Sequence, residues 1–240
     1  MRYRKIVTAT FLRRNNRFVA EVLLNGKKET VHVKNTGRCG ELLLEGVRVI
    51  LAEADNPARK TRYDLIAVYR KYEDGKELLF NIDSQAPNQV VREWLERQQP
   101  FGEILKLRPE YTYGQSRLDF MMELRDGTRW LLEVKGVTLE REGRAWFPDA
   151  PTIRGIKHIH ELIHATEEDW KTGLLFVLQM EGVQQVSPNR KTHEEFAVAL
   201  AEARQAGVEL LCMGCAVTED SLEIERQGEV ILEEGDRWEQ

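Results

Sequence analysis

The sequence predicts a mixed α/β protein in two parts, a small OB-like β-barrel over residues 1–83 and an α/β domain over residues 84–240. Three observations carry this. Five or more short apolar-alternating segments crowd the first 80 or so residues, a polar Pro-containing stretch follows them, and beyond it helical and strand periods alternate.

The first part reads as strands at Ile6–Leu12, Phe18–Leu24 and Glu29–Val33, with Asn25-Gly26 as a tight-turn signal between the second and third. Val47–Leu51 and Asp64–Tyr69 continue the pattern, and Asp74-Gly75 turns the chain into Leu78-Leu79-Phe80. Ser84-Gln85-Ala86-Pro87-Asn88 is the expected boundary, with Asn88 placed to cap a helix over Gln89–Gln98. Strands are expected at Arg117–Leu124 and Trp130–Val137 around Asp126-Gly127, and an amphipathic helix at Ile153–Ala165. Gly173–Gln179 reads as a buried strand, Glu194–Ala206 as a helix ending at Gly207, and Val208–Val217 as a last strand. There is no internal repeat and no low-complexity segment.

Composition narrows the function classes. A chain of 240 residues with 42% hydrophobic content can bury an ordinary core. No run approaches the roughly 18 apolar residues of a membrane span, and Met1-Arg2-Tyr3-Arg4-Lys5 leads into no signal-like apolar segment. Three cysteines, Cys39, Cys212 and Cys215, make no disulfide framework, so the expected compartment is the reducing cytoplasm. The net charge of −5 argues against a polyanionic partner, yet it is unevenly spread. Residues 1–40 carry ten basic residues against Glu21 and Glu29, whereas residues 219–240 carry nine acids against Arg226 and Arg237. A basic first segment on an acidic protein leaves room for a nucleic-acid surface. Arg13-Arg14-Asn15-Asn16-Arg17-Phe18 sets cations beside an aromatic at an expected hairpin tip, which suits phosphates and base stacking. A tip that merely solubilises the hairpin would have the same composition.

The chemistry-bearing pattern lies in the second part. A period of two puts Asp119 on one strand face with Arg117, Met121 and Glu123, and puts Glu133 and Lys135 together about 7 Å apart along the next strand. Whether these meet depends on register. A two-residue Asp126-Gly127 loop would set Asp119 opposite Val134 and turn Glu133 away, whereas an odd connection or a bulge brings all three to one face. The expectation is the latter, with Asp119 opposite Lys135 and diagonal to Glu133. Phosphodiester hydrolysis needs a hard cation, and Mg²⁺ or Mn²⁺ takes one or two carboxylates plus waters. Asp119 and Glu133 would supply them, the Val134 carbonyl would complete the shell, and Lys135 would orient water and offset phosphate charge. A hairpin with solvated cross-strand ion pairs is the plain alternative.

Several further segments occur around this trio in a fixed order. They are Arg17-Phe18-Val19-Ala20-Glu21-Val22, Asn35-Thr36-Gly37, Ser116-Arg117-Leu118-Asp119-Phe120, Leu132-Glu133-Val134-Lys135-Gly136-Val137-Thr138-Leu139, Phe147-Pro148-Asp149-Ala150, Arg154-Gly155-x-Lys157-His158-x-x-Glu161-Leu162 and Ser187-Pro188. Together they resemble the sugar fermentation stimulation protein A (SfsA) family up to about Val217. The resemblance implies an N-terminal OB-like domain, a C-terminal PD-(D/E)XK nuclease fold and binding of DNA, single- or double-stranded, with little sequence preference. Asp119, Glu133 and Lys135 match the positions it implies to be catalytic. Lys34 stands where Pro usually precedes Asn-Thr-Gly, and Pro151 where Val is common. Arg154, Lys157, His158 and Glu161 follow helical spacing and share a face, so a nuclease reading sets that face beside the metal with Arg154 and Lys157 on phosphate, and Arg117 near them. A solvated polar face is the alternative, and Pro148-Asp149 reads equally as a turn and cap. A non-catalytic DNA-binding regulatory protein that keeps the fold as a platform stands as the other function class.

Two competing motifs are weaker. His160-Glu161-Leu162-Ile163-His164 matches the H-E-x-x-H zinc helix, but no His follows at the spacing a third ligand needs, and Glu181 follows a buried strand. Cys212-Met213-Gly214-Cys215 has no second Cys pair and lies in an apolar strand pattern, where a buried unreactive thiol is the default.

Overall fold

The computed structural model describes residues 1–232 apart from Thr36, Asp55 and Pro57. Thr36 of the Asn-Thr-Gly segment and the acidic residues beyond 232 therefore lie outside the described residues. The N-terminal strands are β1 (Ile6–Asn16), β2 (Val19–Leu24), β3 (Lys27–Val33), β4 (Arg48–Glu53), β5 (Tyr63–Lys71) and β6 (Glu77–Asn81). They form a sheet in the order β3-β2-β1-β4-β5-β6, and a parallel β3–β5 pairing through His32↔Asp64 and Val33↔Leu65 closes the first five into a barrel. Alternation explains the closure. Phe11, Ala20, Val22, Val31, Val33, Val49, Leu51 and Leu65 all turn inward, so the apolar face of each strand is hidden only when the sheet curls on itself.

A first helix, α1 (Ala86–Gln98), follows, then β7 (Ile104–Tyr113), β8 (Ser116–Leu124), β9 (Arg129–Val137), β10 (Leu139–Arg141) and β11 (Arg144–Phe147). The remainder is α2 (Ile153–Glu167), β12 (Lys171–Leu178), β13 (Gln185–Pro188), α3 (Glu194–Gln205), β14 (Glu209–Val217), β15 (Leu222–Gln227) and β16 (Glu229–Val230). The main sheet runs β15-β14-β12-β9-β8-β7, parallel across β9, β12 and β14 and antiparallel at both edges. A small sheet, β10-β11-β13-β16, flanks it. The period of two in β9 decides what lies on each side. Leu132 and Val134 pack with Val90, Val91, Trp94 and Leu95 of α1, while Leu131 and Val137 pack with Ile159 and Leu162 of α2 and Phe196 and Leu200 of α3. That second core is continuous with the barrel core, which joins the two parts into one packed body.

Several expectations need correction. Asn88 does not cap α1; the helix starts at Ala86 behind Gln85, with Pro87 in its first turn, where a missing N–H costs nothing. The edge strand β7 escaped the sequence reading because Lys106, Arg108, Pro109 and Glu110 break any apolar alternation, as suits an exposed edge. The cap of α2 is Thr152, whose Oγ1 accepts from Gly155 N at 3.0 Å, and not Pro148-Asp149. The β8–β9 connection has three residues, Arg125 to Gly127, closed by Leu124 N donating to Thr128 O. The ladder then pairs Phe120 with Leu132 and Met121 with Leu131. Continued one step, that register sets Asp119 level with Glu133, two residues from the expected partner Lys135. The odd connection still leaves the acids on one face.

Candidate active site

Asp119, Glu133 and Lys135 come together where β8 and β9 pass the N-terminal turns of α1 and α2. Asp119 is fixed at both oxygens: Oδ1 accepts from Asn88 Nδ2 at 2.6 Å, and Oδ2 accepts from the backbone N–H of Val134 at 2.7 Å. Asn88 thus orients Asp119 and does not cap the helix. Burial, and then the charge of Glu133 beside it, push the Asp119 carboxyl up to about 6.

Glu133 is 3% exposed. Its Oε1 accepts from Lys135 Nζ at 2.6 Å and meets Nδ1 of His158 in a very short contact, while Oε2 is buried with no hydrogen-bond partner among the described residues. Burial alone would raise this carboxyl; the His158 bond and the Lys135 charge outweigh it and hold Glu133 below the usual range. The two acids therefore sit in opposite electrostatic settings, one pushed toward neutrality and one held ionised. His158 receives Arg154 Nε on its other nitrogen at 3.3 Å.

Other residues of the α2 face do different work. Lys157 Nζ donates to the Gln115 carbonyl at 2.9 Å, and Glu161 Oε1 accepts from Gln115 N and Ser116 Oγ, both at 3.3 Å. These two residues pin the β7–β8 turn to α2, so Lys157 does not extend toward a phosphate as expected. Gly114 in that turn has φ +53, and a Cβ there would lie 2.5 Å from Glu161 Oε2, so glycine is required by conformation and by space. Arg117 lies 3.5 Å from Glu110 at the exposed sheet edge.

At the barrel tip the cations are partly committed. Arg13 makes a two-pronged contact with Glu21, at 3.1 and 2.9 Å. Arg14 donates to the carbonyls of Arg17, Asn35, Gly37 and Arg38 at 2.6–2.7 Å, which makes it a clamp between the β1–β2 tip and the loop after β3. Arg17 and Phe18 remain exposed at the tip. The clamped loop forms one wall of a cleft of about 370 Å³, between Asn35, Gly37 and Ser84 on one side and Gly136, Thr138, Asp149 and Thr152 on the other. Gly136 directly follows Lys135 in β9, but Asp119, Glu133 and Lys135 are not among the residues that line the cleft.

The rival motifs do not assemble. His160 is exposed, His164 Nδ1 meets Tyr113 Oη at 3.0 Å, and Glu161 holds the turn. Cys212 and Cys215 are free and buried, with burial pushing both thiols up to about 12. Among the described residues, no group of three or more His, Cys, Asp or Glu is placed to hold a metal. A cation at Asp119 and Glu133 would need its remaining ligands from backbone, water or substrate oxygens, which matches Mg²⁺-type and not structural zinc coordination. The unpartnered buried Oε2 of Glu133 fits such a cation, since an ionised oxygen in that position is otherwise costly. No helix among the described residues is long and apolar enough to cross a membrane.

A closed five-stranded OB barrel packed against a mixed sheet flanked by helices, with two carboxylates and a lysine at the β8–β9 pair, defines an OB protein with a restriction-endonuclease-like domain. Residues 12–77 match the SfsA N-terminal OB domain, and residues 85–221 the sugar fermentation stimulation protein RE domain. A sugar fermentation stimulation protein homolog of Desulfitobacterium hafniense (strain DSM 10664 / DCB-2) is 49% identical over 224 residues, covering 93% of this chain and 95% of the relative. One from Clostridium novyi (strain NT) is 45% identical over 234 residues, covering 97% and 100%. The solved structure of Pyrococcus furiosus SfsA in complex with Ca²⁺ superimposes with a TM-score of 0.85 at 26% identity, covering 96% of this chain and 98% of that one. The chain belongs to the SfsA family.

Proposed function

We propose that the protein is a divalent-metal-dependent nuclease acting on DNA, single- or double-stranded, with Asp119, Glu133 and Lys135 as its catalytic residues. The observation that carries this reading is the buried Glu133 Oε2 without a partner, beside Asp119 and with Lys135 bonded to its other oxygen. The Ca²⁺ found with the Pyrococcus furiosus relative supports a divalent site. Asp119 and Glu133 would hold Mg²⁺ or Mn²⁺, with the Val134 carbonyl as a further ligand. When bound, the ion supplies charge neutralisation at the phosphodiester and lowers the pKa of an attacking water. Asn88 and the Val134 N–H orient Asp119. The Lys135 ammonium, bonded to Glu133 Oε1, would orient water and offset charge developing on phosphorus. Arg17 and Phe18 at the barrel tip, and the cleft that the Arg14-held loop walls off, give the strand a path toward the acids. In this reading Arg117 and Arg154 would contact phosphate, and Arg13 and Lys157 would do so only on leaving Glu21 and Gln115.

The test is cleavage of single- and double-stranded DNA with Mg²⁺ and with Mn²⁺, comparing the parent with Asp119→Ala and Glu133→Ala. Cleavage in the parent that falls by about a hundredfold or more in both variants is the expected result, as for removal of groups acting in the transition state. A parent that binds DNA yet shows no metal-dependent cleavage would sink the nuclease reading and leave a binding, regulatory role.

A further inference from the structure

We propose that His158 is a positioning residue of the metal site: its Nδ1–H, together with the Lys135 ammonium, occupies Oε1 of Glu133 and so leaves Oε2 as the oxygen offered to the cation. The proposal rests on the reading of Glu133 as a metal ligand.

Three observations meet here. First, His158 and Glu133 are both almost fully buried, at 4% and 3% exposure, so water does not compete for their contact. Second, the donor and acceptor roles of the ring nitrogens follow from their partners. A guanidinium can only donate, so Arg154 Nε, 3.3 Å from Nε2, makes Nε2 the acceptor. Nδ1 then carries the proton and donates it to Glu133 Oε1. Third, the two oxygens of Glu133 are treated unequally: Oε1 takes both donors, and Oε2 takes none.

The consequences are specific. Both ring nitrogens are engaged, so His158 is neither a metal ligand nor a general base in this arrangement. Arg154 and His158 stand four residues apart on α2, one turn, which is the spacing that lets the guanidinium reach the ring. Thr152 caps that helix two residues before Arg154 and sets the turn from which the relay starts. Outer groups that orient a ligating carboxylate typically cost ten- to a hundredfold in metal affinity when removed.

The experiment is calorimetric titration of the full chain with Mn²⁺, without DNA, for the parent, Glu133→Gln, His158→Ala, His158→Gln and His158→Asn, each checked for folding by thermal melting. An Asn side chain sets an N–H near the position of Nδ1, whereas Gln mimics Nε2. The expected result is a loss of about tenfold to a hundredfold in Mn²⁺ affinity for His158→Ala and His158→Gln. His158→Asn should stay within about threefold of the parent. If His158→Ala fails to fold, the Asn and Gln pair carries the test. Affinity unchanged in the Ala or Gln variant, or lost equally in Asn and Gln, would overturn the positioning role. A parent that takes up no Mn²⁺, or a Glu133→Gln protein that binds it like the parent, would remove the metal reading itself, a failure distinguishable from the first.

Discussion

Asp119 and Glu133 are neighbours of like charge in a buried setting; Lys135 bonds Glu133 directly, whereas on Asp119 it is the smallest of the causes and does not offset burial. The carboxyl of Asp119, raised to about 6 from an ordinary value of 3.8, binds its proton more tightly in the folded than in the unfolded chain. Between those two values the folded state therefore holds more protons, so stability falls as pH rises through that window and levels off above it. Asp119→Asn removes the titration. In metal-free protein, the stability of the parent relative to Asp119→Asn should fall by up to roughly 3 kcal/mol between pH 4 and pH 7, read from urea unfolding at each pH. A difference that stays flat across that range would show that Asp119 is not raised. The residue types at this site were legible in the sequence, because two acids and a lysine at period-two spacing beside an odd turn can share a face. Their partners were not. Asn88 carries no sign that it faces Asp119, since that contact crosses 31 positions. His158 showed its helical spacing to Arg154 but gave no hint that its other nitrogen meets a strand 25 residues away.

Among the elements, the β1–β2 hairpin separates two roles that its sequence presents as one. Arg13, Arg14 and Arg17 look alike as letters, and only the barrel's closure, which brings the loop after β3 beneath the tip, distinguishes them. Arg14 serves five backbone carbonyls at once, because a planar guanidinium can fan its donors and an ammonium cannot. Arg14→Ala should destabilise the protein by about 2–4 kcal/mol, and Arg14→Lys should recover little of it, as measured by chemical denaturation. Arg17→Ala should leave stability within about 0.5 kcal/mol and reduce the salt slope of DNA binding by about one. Equal stability losses at 14 and 17 would contradict the clamp. The barrel strands were readable because β1 to β3 alternate in their buried stretches and β4 and β5 are short apolar runs bounded by polar residues. The edge strand β7 and the short strands of the flanking sheet were not, since an exposed edge has no apolar face and strands of two to four residues have no period to detect.

Over the whole molecule, the seam between barrel and nuclease-like domain is built as an interior and not as a linker. Gln179, 2% exposed, donates to the carbonyls of Asn81 and Asp83, and its own backbone carbonyl accepts from Asn81 N. Glu140, also 2% exposed, accepts from Arg70 Nη1 at 3.0 Å and Tyr72 Oη at 2.5 Å across the same seam. A Cβ on Gly136 would fall 2.4 Å from Gln179 Oε1 and 2.6 Å from Pro87 Cγ, so the strand that carries Lys135 runs against the seam with no room for a methyl group. The continuous apolar core beneath these contacts makes separate melting of the two parts unfavourable. The barrel segment holds no tryptophan, and Trp94, Trp130, Trp146 and Trp170 belong to the second part, so their fluorescence reports that part while far-ultraviolet circular dichroism reports both. The two signals should give one coincident urea transition in the parent. Glu140→Ala takes away the buried carboxylate that Arg70 and Tyr72 share and leaves Arg70 only the backbone carbonyl of residue 140; it should lower the common midpoint by about 3 kcal/mol of stability without splitting the transition. Two separate transitions in the parent would mean that the barrel folds on its own, and that the seat of the Arg14-held loop across the cleft from Gly136 and Asp149 is not a fixed property of the fold.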